Sequence, residues 1–115
     1  MRVDADGISR YPQELETAVY FCTLEALQNA AKYAEANEIV VRLLEEDGEL
    51  VLSIHDDGRG FDRDATPLGS GLQNMADRLA ALGGTLEIRS RLGGGTTVSG
   101  RIPVLSRRAS LKTWL

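Results

Sequence analysis

The sequence is poor in several residue types and patterns, and each shortage removes a class of protein. Its 115 residues include one cysteine, Cys22. No disulfide can form within the chain, so a reducing, cytoplasmic setting is expected. There is one histidine, His55, in a strand pattern. A phosphoacceptor histidine would need an accessible helix, and no helical segment carries one. Basic residues are not in excess: 13 Lys and Arg stand against 17 Asp and Glu, a net charge of −4. A general binder of nucleic-acid backbone usually needs a basic face, so nucleic acid is not an expected partner. A single nucleotide stays open, because glycine loops and a metal can hold its phosphates. No signal peptide or long apolar run is present, so no membrane contact is expected of this chain, although a longer parent protein could be anchored.

What remains is ordinary for a globular domain: 43% hydrophobic and 26% charged residues. The length suits one domain, 1–115, able to bury about two-thirds of its unfolded-chain surface. Its core is expected at about 12–104. The tail 105–115, with Arg107, Arg108, Lys112 and Trp114, is expected to fray. Residues 1–11 are polar, without a clear period. They begin abruptly, as in a fragment of a larger protein.

Pro12 suits the first turn of a helix, where its missing N–H costs nothing. From Gln13 to about Ala36 apolar residues recur at three or four: Leu15, Val19, Cys22, Ala26, Ala30, Tyr33. Strands are predicted over 39–46 and 49–55, joined by the hairpin signal Asp47-Gly48. Alternation puts Leu50, Leu52 and Ile54 on one face, and Asp56 on that same face. Residues 57–70 read as a loop. A helix is predicted over 71–82, ended by Gly83-Gly84. Strands follow at 85–91 and 96–104. This order predicts an α+β fold, a two-layer α/β sandwich with a mixed, largely antiparallel sheet covered on one face by helices.

Several residues carry chemistry. Glu25, Asn29 and Lys32 are spaced by four and three and share a helix face. Two readings stand: a solvated polar flank, or Asn29 as an oxygen ligand for Mg²⁺ with Glu25 one turn earlier orienting a water or hydroxyl. An acid on the apolar face of a strand, as Asp56 is, costs free energy unless hydrogen-bonded. Either a backbone turn at Gly58 satisfies it, or a ligand donor such as the exocyclic amine of adenine does. Gly58 and Gly60 permit close backbone approach. Gly69 and Gly71 flank a helix start. That is either a capping turn with Ser70 as cap or an anion site for phosphates. Gly93-x-Gly95-Thr96 is a further turn.

Taken in order, Glu25-x-x-x-Asn29, Asp56-x-Gly58-x-Gly60, Gly69-x-Gly71 and Gly93-x-Gly95-Thr96 resemble the Bergerat nucleotide-binding fold. "LEALQNAAKYA" and "GLQNMADRLAALGG" resemble the N-box and second glycine box of histidine kinase ATPase domains of the NarL/DesK-like class. The resemblance covers about residues 12–104. It implies that Asn29 binds Mg²⁺ and that Asp56 reads the adenine amine, with a water held by Thr96. Gly58 and Gly60 would floor the site. Gly69, Ser70, Gly71 and Leu72 would wrap the phosphates of ATP. Glu25 and Lys32 would match the N-box acid and base. Residues 61–68 would be the lid over ATP.

Three departures accompany it. Tyr33 stands where many members have histidine, and Asp57 where asparagine is usual. The helical dimerisation domain with its phosphoacceptor histidine is absent. The resemblance therefore implies a catalytic domain that binds Mg-ATP and donates the γ-phosphate to a histidine on a partner domain. A response regulator would act further downstream. Alternatives are an anti-sigma-factor serine kinase of the same fold, or a non-catalytic ATP-sensing binding module.

Overall fold

The structure is a computed structural model and describes residues 2–6, 11–31, 36–61 and 69–104. The elements run β1 (Arg2–Asp6), α1 (Gln13–Asn29), β2 (Ile39–Glu46), β3 (Glu49–Asp56), α2 (Ser70–Ala81), β4 (Thr85–Ser90) and β5 (Thr96–Pro103). The five strands form one sheet in the order β1-β2-β3-β5-β4. Only β1 and β2 run parallel; the other pairs are antiparallel. The mixed, largely antiparallel α/β sandwich is thus the fold. Lys32, Tyr33, most of the lid segment (62–68) and the tail 105–115 lie outside the described residues.

The β2–β3 turn forms as the sequence predicts. Asp47 and Gly48 take φ of 53° and 76°, the two positive values a type I′ hairpin needs. Strand β3 buries Leu50, Leu52, Ile54 and Asp56, every second residue. Its outward residues share an open face with Arg42 and Arg101, where Arg101 pairs with Glu49 and Arg42 with Asp4. A one-sided antiparallel sheet gives this alternation.

Both helices lie on the buried face. Pro12 sits one position before α1, as its N-cap, and its carbonyl accepts from the Leu15 and Glu16 amides. The buried stripe of α1 is Leu15, Ala18, Cys22, Ala26 and Ala30. Ala18 takes the place predicted for Val19, which is only partly buried. The reason is that α1 touches α2 as well as the sheet; Arg78 of α2 lies 3.7 Å over the Phe21 ring. After Asn29 the helix widens into a π turn at Ala30 and Ala31; residues 32–35 lie outside the described residues, and Ala36 is not helical. Helix α2 buries Met75 and Leu79 and ends in a Schellman-type turn, with the Gly84 amide donating to the Leu79 carbonyl at 2.7 Å.

The opening strand forms in a stretch, 1–11, that reads as polar and without a clear period. Arg2–Asp6 are exposed where described, yet they pair with Val40–Leu44 along their whole length. Among the described residues no helix is long and apolar enough to cross a membrane.

Candidate functional site

Two ends of the molecule differ. At one, the Tyr11 hydroxyl donates to Glu45 at 2.7 Å and fixes the start of α1 beside the β2–β3 hairpin. Helix α1 therefore ends near the start of β2, level with Asp56, the register partner of Ile39. Helix α2 runs the other way: Gly83 meets Pro103 near the hairpin, and Gly71 meets Glu25 and Asn29. The end of α1, the start of α2 and the end of β3 thus share one end of the sandwich.

The floor of this end is a row of directly paired residues, Ile39–Asp56–Thr96–Ser90 across β2, β3, β5 and β4. All face the helices. Asp56 is only 6% exposed and is the one buried charged residue among those described. Its Oδ1 accepts from the Gly58 amide at 2.9 Å, the turn that composition suggests. Among the described residues Oδ2 has no hydrogen-bond partner. The backbone-turn reading of Asp56 thus holds for Oδ1, and Oδ2 is left open to a ligand donor. A buried carboxylate oxygen left open is costly, and a ligand donor would relieve the cost.

Asp57 points the other way and is exposed, but it is not idle. Its Oδ1 accepts from the amides of Asn37 (2.8 Å) and Glu38 (2.9 Å). Those amides, that of Glu38 foremost, hold its carboxyl below the usual carboxylate range. The return from α1 to β2 is thereby tied to the end of β3. His55 is exposed, and one ring nitrogen lies 2.7 Å from the Thr97 hydroxyl. Burial pushes the Cys22 thiol up to about 11, against the lowering influence of Arg78, so it stays protonated and inert at neutral pH.

Two loops stack at the edge of the row, the stretch after β3 and the β4–β5 turn. Gly60 has φ +63°, and a Cβ there would collide with the Arg91 carbonyl and lie 2.8 Å from that of Gly95. The missing side chain of Gly60 thus admits the β4–β5 turn. The Gly93 amide donates to the Arg59 carbonyl at 2.7 Å across the same junction. Ser90, which the sequence reading passes over, sits at its centre. Its Oγ accepts from the Phe61 amide (2.9 Å), donates to the Gly95 carbonyl (3.2 Å) and lies 2.7 Å from Thr96 Oγ1. A legible signal existed: alternation after Leu86 and Ile88 places a polar residue on the covered face, as it does for Asp56.

The α1 and α2 ends complete the arrangement. Glu25 and Asn29 are half-buried, and neither side chain has a hydrogen bond among the described residues. A Cβ on Gly71 would lie 2.6 Å from Glu25 Oε2 and 3.8 Å from Asn29 Nδ2. Gly71 is thus the small residue that lets α2 approach the polar face of α1. The N-cap of α2 is Gly69, with extended backbone (φ −74°); Ser70 is the first helical residue and not the cap. The first intrahelical bond runs from the Gln73 amide to the Gly69 carbonyl, leaving the amides of 70–72 facing out of the helix. Leu72 leans on the core. Unpaired amides and a positive helix end favour an anion; a carboxamide oxygen with no partner favours a hard cation.

An open two-layer sandwich, with acceptors at the sheet end and amides at a helix start that have no partner among the described residues, suits an anionic ligand that also brings hydrogen-bond donors. Comparison with known proteins narrows the class. Residues 14–106 match the family described as "Histidine kinase-, DNA gyrase B-, and HSP90-like ATPase", and the chain belongs to it. The signal transduction histidine-protein kinase/phosphatase DegS of Brevibacillus brevis is 38% identical over 96 residues, which are 83% of this chain and 25% of that protein. The histidine kinase domain of a blue-light activated histidine kinase from Erythrobacter litoralis superposes with a TM-score of 0.74 at 27% identity. The match covers 94% of this chain and 52% of that one. Histidine kinase AdeS of Acinetobacter baumannii has the same fold (TM-score 0.74, 19% identity, 89% and 52% covered). The chain thus spans a quarter of its curated relative and about half of the solved chains.

Proposed function

We propose that this chain is the ATP-binding catalytic domain of a cytoplasmic sensor histidine kinase of a two-component system. It presents the γ-phosphate to a histidine on a separate helical dimerisation domain, and the phosphoryl group passes on to a response regulator. The observation that carries the reading is the buried, half-satisfied carboxylate of Asp56 beside Thr96, in a chain of this ATPase family. Its open oxygen would accept from the 6-amine of adenine. Guanine has a carbonyl there, which that oxygen would repel.

The amides at the start of α2, without partners among the described residues, would hold the phosphates, with Gly69, Ser70, Gly71 and Leu72 around them and Lys32 as a further candidate. Among the described residues no cluster of three acids, histidines or cysteines exists to cage a metal. Mg²⁺ needs few protein ligands when phosphate oxygens and water complete its shell, and the Asn29 oxygen fits that role. Bound there, magnesium would neutralise phosphate charge. The chain's own part in phosphoryl transfer is placement, with the triphosphate held in line for an incoming imidazole. Glu25, above Gly71, would orient water or the acceptor at the phosphate end. Gly58 and Gly60 carry the backbone beneath the base. The histidine kinase relatives favour this reading over a serine kinase or a silent ATP sensor.

Two measurements test it. Incubated with Mg-ATP and a cognate histidine-bearing helix pair, the chain should yield acid-labile phosphohistidine; binding of ATP without any transfer would leave only a sensor. In calorimetry, Asp56→Asn should weaken ATP binding about tenfold or more, since the amide places a donor against the adenine amine. Unchanged affinity would remove Asp56 from the base site.

A further inference from the structure

We propose that Ser90 is a specificity-determining positioning residue: it fixes the direction of the Thr96 hydroxyl, so that the base end of the site presents acceptors only. The inference rests on the nucleotide reading above and adds a residue to it. A serine hydroxyl has one proton to give and two lone pairs. Ser90 Oγ has three partners. The Phe61 amide can only donate to it. The Gly95 carbonyl can only accept from it, and Gly95 is buried, where an unpaired carbonyl is costly. With the proton of Ser90 given to Gly95, the third contact, 2.7 Å to Thr96 Oγ1, requires Thr96 to donate.

Thr96 then has no proton left for the site. It stands directly opposite Asp56 in the β3–β5 pairing, where facing Cβ atoms lie about 4.5–5.5 Å apart. Asp56 Oδ2, also aprotic, is its neighbour. A water between them would give one proton to each and be left as an acceptor itself. Ligand atoms meeting this end must bring hydrogens. An exocyclic amine has two, one for Asp56 and one for that water. A keto oxygen has none. Discrimination between a 6-amino and a 6-keto purine therefore depends on Ser90, which lies one strand further away than Thr96 and whose three hydrogen bonds are to neighbouring protein groups.

The test compares ATP with inosine triphosphate, whose base has a keto oxygen in place of the 6-amine and a hydrogen on N1; the N1 change is common to wild type and variants, so the change in the ATP-to-ITP ratio reads the keto oxygen. Calorimetry on the wild type should show a preference for ATP. In Ser90→Ala the Thr96 proton is released and can turn to the keto oxygen, so the preference should shrink about tenfold, the worth of one such hydrogen bond. Ser90→Thr, which keeps the hydroxyl, should retain it. In Ser90→Ala/Thr96→Val no hydroxyl is left to donate, and the preference should return while ATP affinity stays low. Should Ser90→Ala fail to fold, Ser90→Cys carries the same comparison, its thiol being a weak donor and acceptor. An unchanged ATP-to-ITP ratio in Ser90→Ala, with both affinities lowered alike, would make Ser90 a structural residue and overturn the proposal. A wild type that binds neither nucleotide would instead overturn the nucleotide reading itself.

Discussion

Gly71 shows how a single side chain, or its lack, can separate binding from stability. The Cβ of an alanine there would lie 2.6 Å from Glu25 Oε2, closer than real contacts come. Glu25 is a flexible side chain and can swing aside, so the fold survives. Alanine also has the better helix propensity, by up to about 1 kcal/mol. Gly71→Ala is therefore expected to leave the urea midpoint unchanged or slightly raised, while ATP affinity falls about tenfold through displaced Glu25 and crowded phosphates. Equal affinity for the variant and the wild type would show that the contact between α1 and α2 has no part in binding. At this scale the sequence discloses much about Asp56 and little about Asp57. Pleat alternation gives the direction of each. Only the three-dimensional return of the chain puts Asn37 and Glu38 against Asp57, and no local pattern records that.

Elements are legible in proportion to the apolar surface they bury. Strand β3 and helix α2 carry clear periods, because their buried faces are apolar apart from Asp56. Leu79 is 1% exposed and packs where Gly100 leaves room on β5. Leu79→Ala should cost about 2–5 kcal/mol in chemical denaturation, from lost burial plus the cavity left behind. A loss below 1 kcal/mol would mean that α2 is not a main support of the core. Strand β1 is the opposite case. Val3 is 60% exposed and its neighbours are exposed too, so what holds the strand is its ladder to β2. Parallel pairing with a segment more than thirty residues away has no local sequence signal. Helix α2 starts one residue before the predicted position for a related reason: Ser70 is a common cap, but here the glycine before it takes the extended cap conformation.

For the whole molecule, the meeting of three element ends makes the candidate site a property of the assembled sandwich. An unfolded chain should bind no Mg-ATP, so ligand must raise the unfolding temperature. At a concentration 100 times the dissociation constant the stabilisation is about 2.7 kcal/mol. Thermal melts should show this shift with Mg-ATP and a smaller one with ATP alone. In Asn29→Ala the two shifts should become equal. A variant that keeps its magnesium response would place the metal elsewhere. The order of the glycine boxes makes this convergence legible in outline, but not which glycine serves ligand and which serves fold.

That distinction affects how an inactive control is chosen. A Gly60 variant would lose nucleotide binding because its new side chain strikes the backbone at Arg91 and Gly95, disturbing Asp56 and Thr96 together. Its silence in a cell would report a damaged protein as readily as an empty one. Any phenotype attributed to lost ATP binding is better drawn from Asp56→Asn or Gly71→Ala, where the scaffold remains and only occupancy changes.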